Sequence, residues 1–192
     1  MSIISEIMEH NQTFVKDEVY RDFETTKFPN KKMVILTCMD TRLTELLPKA
    51  MGFCNGDAKI IKNAGALISH PFGSVMRSIL VAIYELGAEE VCVIGHKDCG
   101  MSGLRHDSFL DKVKEKGIDQ DQLEFLKSAG IDLEKWLTGF DRVEDSVAHS
   151  VALIKNHPLL PEGIKVHGLV IDPHTGGLAA VEMHDAVKTL QP

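Results

Sequence analysis

Cys38, Asp40 and Arg42 stand two residues apart from one another, and far downstream His96 and Cys99 stand three apart. These five residues supply two thiolates, one imidazole and a carboxylate–guanidinium pair. Two cysteines and a histidine are a recurring ligand set for catalytic zinc, because three protein ligands leave the fourth tetrahedral position to water. Zinc held by two thiolates and a neutral imidazole carries no net charge, so it acidifies bound water less than three imidazoles would. An acceptor fixed beside that water then helps: Asp40, paired bidentately with Arg42, would take its hydrogen and aim its lone pair. Without Arg42, Asp40 would be free to take the fourth position itself. On that reading the metal ligands would be Cys38, His96 and Cys99 in an open site, joined by Asp40 only in a closed one. Each half has a plainer explanation when taken alone. A buried thiol beside a structural ion pair accounts for Cys-x-Asp-x-Arg, and a satisfied loop histidine accounts for His-x-x-Cys.

The elements around these residues decide whether the halves meet. An apolar run over 33–37 suits a strand covered on both faces. A short helix over 43–50, a strand near 58–61 and a helix over about 73–86 follow, the last ended by Gly87. A third strand over 90–94 leads straight into Gly95-His96. Helical spacing returns over 143–154, a fourth strand over 164–171, and a turn at 173–177 sends 178–183 back as an antiparallel edge. Alternating strands and helices imply an α/β fold, a mostly parallel sheet with helices on both faces. Cys38 and His96 both leave carboxyl ends of strands, where such sheets bind ligands. If the chain stays extended through 37–42, Cys38, Asp40 and Arg42 face one cavity, since alternate residues of a strand share a side. His96 and Cys99 are expected to span one helical turn.

The 192 residues suit one domain, with a helical arm at 1–30 and a helical surface insertion at 104–140. Ile3, Ile4, Ile7, Met8, Phe14 and Val15 lie at helical spacing in the arm and must cover a core or a partner. A net charge of −7, with Lys31-Lys32 the only adjacent basic pair, argues against nucleic acid. No apolar run reaches the roughly 18 residues of a membrane helix, and no signal core follows the N-terminus, so a cytoplasmic location is expected. Four cysteines without a Cys-x-x-Cys pair exclude a zinc ribbon and a thioredoxin-type motif. Thr44 stands where a cysteine phosphatase loop starting at Cys38 would need arginine. Cys54 and Cys92, among apolar neighbours, are expected in the core. Of nine histidines, only His96 has a ligand's context.

Cys38-Met-Asp40-Thr-Arg42 and His96-Lys-Asp-Cys99-Gly100 resemble the two signature motifs of the β-class carbonic anhydrases. Between them, Lys62-Asn-Ala-Gly65 resembles that family's Arg-Asn-Ala-Gly element, with lysine in place of arginine. The resemblance is strong over 33–101 and looser over 164–183, and Leu43 and Met101 look like its shorter bacterial branch. It implies one zinc per chain on Cys38, His96 and Cys99, with Asp40 and Arg42 as the catalytic pair. It also implies a homodimer or homotetramer whose N-terminal helices cross between subunits. The activity it implies is reversible hydration of carbon dioxide to bicarbonate and a proton by zinc-hydroxide attack, a lyase reaction. Backbone N–H groups at Gly65 and Gly100 are candidate substrate contacts. The alternatives are hydrolysis of carbonyl sulfide or carbon disulfide at the same zinc, or a non-catalytic zinc- or bicarbonate-sensing module.

Overall fold

The structure, a computed structural model, describes residues 2–183. Strands β1 (Met33–Cys38), β2 (Ala58–Asn63), β3 (Glu90–His96), β4 (Lys165–Ile171) and β5 (Leu178–Glu182) form one sheet in the order β2-β1-β3-β4-β5. The first four pair in parallel and β5 closes the edge antiparallel to β4. From β1 the chain crosses to β2 on one side, then returns past β1 to β3 on the other. Strand order therefore reverses between β1 and β3, and the crevice at their carboxyl ends is the expected ligand position in such a sheet.

The period-two alternation of the strands sorts the core into two layers. Val34, Leu36, Val91, Val93, Val166 and Val170 pack on one face, under Met76 and Ile79 of α3 (Ser74–Tyr84) and Val147 and Val151 of α7 (Val143–Lys155). Ile35, Cys92, Ile94 and Ile171 face the other way, against Leu43 and Leu47 of α2 (Leu43–Ala50). Helix α7 sits unusually close to the sheet. A Cβ on Gly95 would come 2.6 Å from Val143 Cγ2 and 2.8 Å from Val147 Cγ2, and one on Gly168 would come 2.8 Å from Val147 Cγ1. Glycine on two neighbouring strands thus makes the trough in which α7 lies, immediately before His96.

The segment between β3 and α7 holds three helices, α4 (His106–Glu115), α5 (Gln120–Ser128) and α6 (Leu133–Leu137). Leu123 and Leu133 are its buried anchors. Helix α1 (Ile3–Lys16) starts where the Ser2 side chain accepts from Ser5 N–H, and none of its residues is buried. Ile3 and Ile4 are 66% and 64% exposed, so the arm covers no core within its own chain. Cys92 is buried as expected, but Cys54 is exposed. It lies in the turn between α2 and β2, where its N–H donates to Asp57 Oδ2 at 2.9 Å, and a turn that short presents its side chain to solvent. No described helix is long and apolar enough to cross a membrane.

Candidate metal centre

Cys38 is the last residue of β1, and Met39 N–H still donates to Asn63 C=O at 2.8 Å across to β2. Beyond it the chain is not extended to Arg42, as the alternating spacing suggested. It turns, and Arg42 already has helical φ and ψ of −61° and −27°. The cause is Asp40, whose short carboxylate bonds the backbone two residues on, as aspartate does in turns. Its Oδ1 accepts from Arg42 N–H at 2.9 Å and from Nε at 3.0 Å, while Oδ2 accepts from Nη2 at 2.9 Å. One side chain thus starts α2 and receives the fork of the residue that α2 presents.

The second half departs from expectation in a similar way. His96 ends β3, and no helical turn joins it to Cys99. The link bends through Asp98 in the left-handed region, φ +54°. Aspartate tolerates that conformation better than most side chains.

Cys38, His96 and Cys99 are all buried, and their ligand atoms lie within 4.8 Å of one another. The two sulfurs are 3.9 Å apart. His96 Nδ1 is 2.8 Å from the Lys97 carbonyl, which as an acceptor makes Nδ1 the protonated ring nitrogen and leaves a lone pair on Nε2. That Nε2 is buried without a hydrogen-bond partner. Buried polar atoms are normally paired, and an orphaned imidazole nitrogen facing two sulfurs has the chemistry of a metal ligand. Among the described residues this is the one such cluster, and Asp40 is outside it. Asp40 Oδ2 nevertheless lies only 3.8 Å from His96 Nε2.

Charge follows the same geometry. The Arg42 side chain holds the Asp40 carboxyl down at about 2. The Cys38 thiol is lowered to about 4, first by the hydrogen bond from Cys99 and then by His96 and the Gly65 N–H, against the burial that pushes it up. Cys99, as donor to Cys38 and itself buried, is raised. His96 is raised, chiefly by Cys38. A divalent cation among two sulfurs and a ring nitrogen would offset the negative charge this environment favours on Cys38. The donor set and its spacing fit Zn²⁺.

The cleft over these atoms measures about 690 Å³ and is lined by Met39, Thr41, Ala64, Gly65, Gly100 and Met101 in addition to Cys38, Cys99, the Asp40–Arg42 pair and Asp98. Gly65 has φ +81°, and a Cβ there would come 3.0 Å from Met101 Cγ and 3.1 Å from Phe140 Cε1. Its N–H lies 3.4 Å from Cys38 Sγ and so donates to the sulfur. Gly100 lines the cleft with no neighbour against its Cα face. Lys62 Nζ donates to Thr44 Oγ1 at 3.1 Å. Asp98 is the functional candidate that sequence reasoning passed over. Its Oδ2 accepts from Arg42 Nη1 at 3.1 Å and its carbonyl from Nη2 at 3.0 Å. An acidic residue lodged between two ligands was the available signal.

These features define an α/β protein with a three-residue cluster that could hold a metal at its topological switch point, and a paired carboxylate beside it. A family model described as carbonic anhydrase matches residues 33–178. The chain belongs to the β-carbonic anhydrase family. It is 66% identical over 181 residues to the provisionally named carbonic anhydrase YvdA of Bacillus subtilis (strain 168), covering 94% of this chain and 92% of that one. The crystal structure of β-carbonic anhydrase isoform I from Trichomonas vaginalis superposes with a TM-score of 0.85 at 35% identity, covering 96% of this chain and 100% of that one. A carbon disulfide hydrolase of Acidithiobacillus thiooxidans is 32% identical over 158 residues, covering 78% of this chain and 76% of that one.

Proposed function

We propose that the protein is a zinc enzyme that reversibly hydrates carbon dioxide to bicarbonate and a proton. The observation that carries this reading is the buried Cys38–His96–Cys99 cluster with Asp40 held beside it, off the cluster, by Arg42. Cys38, His96 and Cys99 would hold one zinc per chain, which supplies a Lewis acid that brings the pKa of water toward neutrality. The chain's own groups do the rest. The Lys97 carbonyl fixes the His96 tautomer, and the Gly65 N–H draws charge from Cys38 Sγ. A carboxyl held at about 2 stays an acceptor at any physiological pH, so Asp40 can take a hydrogen bond from the attacking oxygen but does not itself store the proton. Met39, Ala64 and Met101 give the cleft an apolar wall suited to a small linear substrate. The proton leaves through the same cleft to buffer.

Label exchange tests the proposal: ¹⁸O in bicarbonate is lost to water faster than the uncatalysed rate if the protein, with its zinc quantified, is a hydratase. Loss at the uncatalysed rate from zinc-loaded protein rejects it. The similarity to a carbon disulfide hydrolase supports one second reading, hydrolysis of that sulfur analogue at the same cluster. Parallel assays on the two substrates separate the readings. The exposed apolar face of α1 supports a homodimer or homotetramer in which the arm packs on a second copy. Light scattering on the intact protein and on a variant with Ile4 and Ile7 changed to Ser would show the assembly and its loss.

A further inference from the structure

Arg42 has five N–H donors, and four are placed. Nε and one hydrogen of Nη2 go to Asp40; the other hydrogen of Nη2 goes to the Asp98 carbonyl, and one of Nη1 to the Asp98 carboxylate. Asp40 belongs to the segment after β1 and Asp98 to the segment after β3, so Arg42 joins the two loops that bring the ligands together. The Asp98 side chain is 77% exposed, and among the described residues only Arg42 bonds its carboxylate. Its one side-chain bond within the described chain is thus to the guanidinium. Asp40 Oδ2, for its part, is 3.8 Å from His96 Nε2, a short swing from the ligand cluster.

We infer that Asp98 is a positioning residue: its carboxylate and carbonyl hold the Arg42 guanidinium where it takes both oxygens of Asp40, which keeps Asp40 from becoming a fourth ligand. The inference rests on the metal-centre reading and extends it to a residue outside the ligand cluster, whose carboxylate bonds Arg42. Without the Asp98 side chain, Arg42 keeps one contact to that loop, the carbonyl, and is freer to follow Asp40 or release it. The closed arrangement then gains population, and an external ligand must compete with Asp40 for the metal. The pair is exposed, so the shift is modest, about two- to fivefold.

Cobalt-substituted protein reads this out, because its visible spectrum changes when thiocyanate enters the open position. The comparison is wild type, Asp98→Gly and Asp98→Asn. Glycine accepts the left-handed φ without strain, and asparagine accepts it while keeping an acceptor oxygen and removing only the charge. The apparent Kd for thiocyanate is expected to rise about two- to fivefold in Asp98→Gly and not to rise in Asp98→Asn. Loss of a nearby negative charge would by itself tighten anion binding, so the sign separates positioning from simple electrostatics. In an Asp40→Asn background the Asp98→Gly effect should vanish. An Asp98→Gly protein that binds thiocyanate as wild type does, or more tightly, overturns the inference, as does an effect that persists without Asp40. Wild-type protein that takes up no cobalt overturns the metal-centre reading and this inference with it.

Discussion

Gly95→Ala is the substitution that most sharply tests how the fold sets the metal centre. Gly95 has no positive φ to protect, and in a strand the change would by itself stabilise by about 0.5–1 kcal/mol through lost unfolded-state entropy. Space decides otherwise. The new methyl would lie 2.6 Å from Val143 Cγ2 and 2.8 Å from Val147 Cγ2, against an ordinary carbon–carbon contact of about 3.5–4.0 Å. Both valines sit on α7, and valine in a helix keeps essentially one χ1 rotamer, so neither methyl can rotate away. Helix α7 must withdraw by roughly 1 Å, a net destabilisation of about 1–3 kcal/mol of the kind seen when a packed core is overfilled. The residue after Gly95 is His96, so the same shift disturbs a ligand. Urea unfolding of zinc-free wild type, Gly95→Ala, Val147→Ala and the double variant forms a cycle. Val147→Ala alone should cost about 2 kcal/mol for two buried methyls, and clearly less in the Gly95→Ala background, a coupling of at least about 1 kcal/mol. Zinc retention against a chelator should fall in Gly95→Ala and recover in part in the double variant. A Gly95→Ala protein within about 0.5 kcal/mol of wild type, or strictly additive effects, would refute the reasoning.

Other outcomes follow from the site itself. Asp40→Asn should keep one zinc per chain and lose about 10- to 100-fold in kcat/KM, the usual effect of removing a group that orients a metal site; full activity would remove Asp40 from the mechanism. Arg42 holds the Asp40 carboxyl at about 2 against an ordinary 3.8, so the fold favours the charged form. Its contribution to stability is complete above pH about 4 and is lost as the pH falls toward about 2. In zinc-free protein the gap in urea midpoint between wild type and Asp40→Asn should narrow over that window, and a constant gap would contradict it. Iodoacetamide should label exposed Cys54 first and leave Cys92 unlabelled, its thiol buried and pushed up to about 12. Zinc should protect Cys38 and Cys99, and mass spectrometry after partial labelling checks the order.

Strands β1 and β3 were legible because each is a run of β-branched and aliphatic residues buried on both faces. The mostly parallel sheet followed from the alternation of strand and helix, whereas the strand order that reverses between β1 and β3 did not. Residue types also marked Cys38, His96 and Cys99 as the residues that would meet. The local geometry was not legible. A period-two pattern over Cys38, Asp40 and Arg42 looks the same whether the chain extends or turns, and the hydrogen bond from Arg42 N–H to Asp40 decides for the turn. His-x-x-Cys fits a helical turn as well as the left-handed bend at Asp98. Cys54 has apolar neighbours in sequence, but the bend at Asp57 turns it outward. The role of Asp98 lies in a contact spanning 56 residues, beyond the reach of any local pattern.

The most direct test of the central claim is stopped-flow carbon dioxide hydration at mildly alkaline pH, on protein whose zinc has been quantified, beside the same protein stripped of zinc. Turnover far above the buffer rate, lost on stripping and restored by one zinc per chain, is the expected result. Zinc-replete protein that hydrates carbon dioxide no faster than buffer would contradict it.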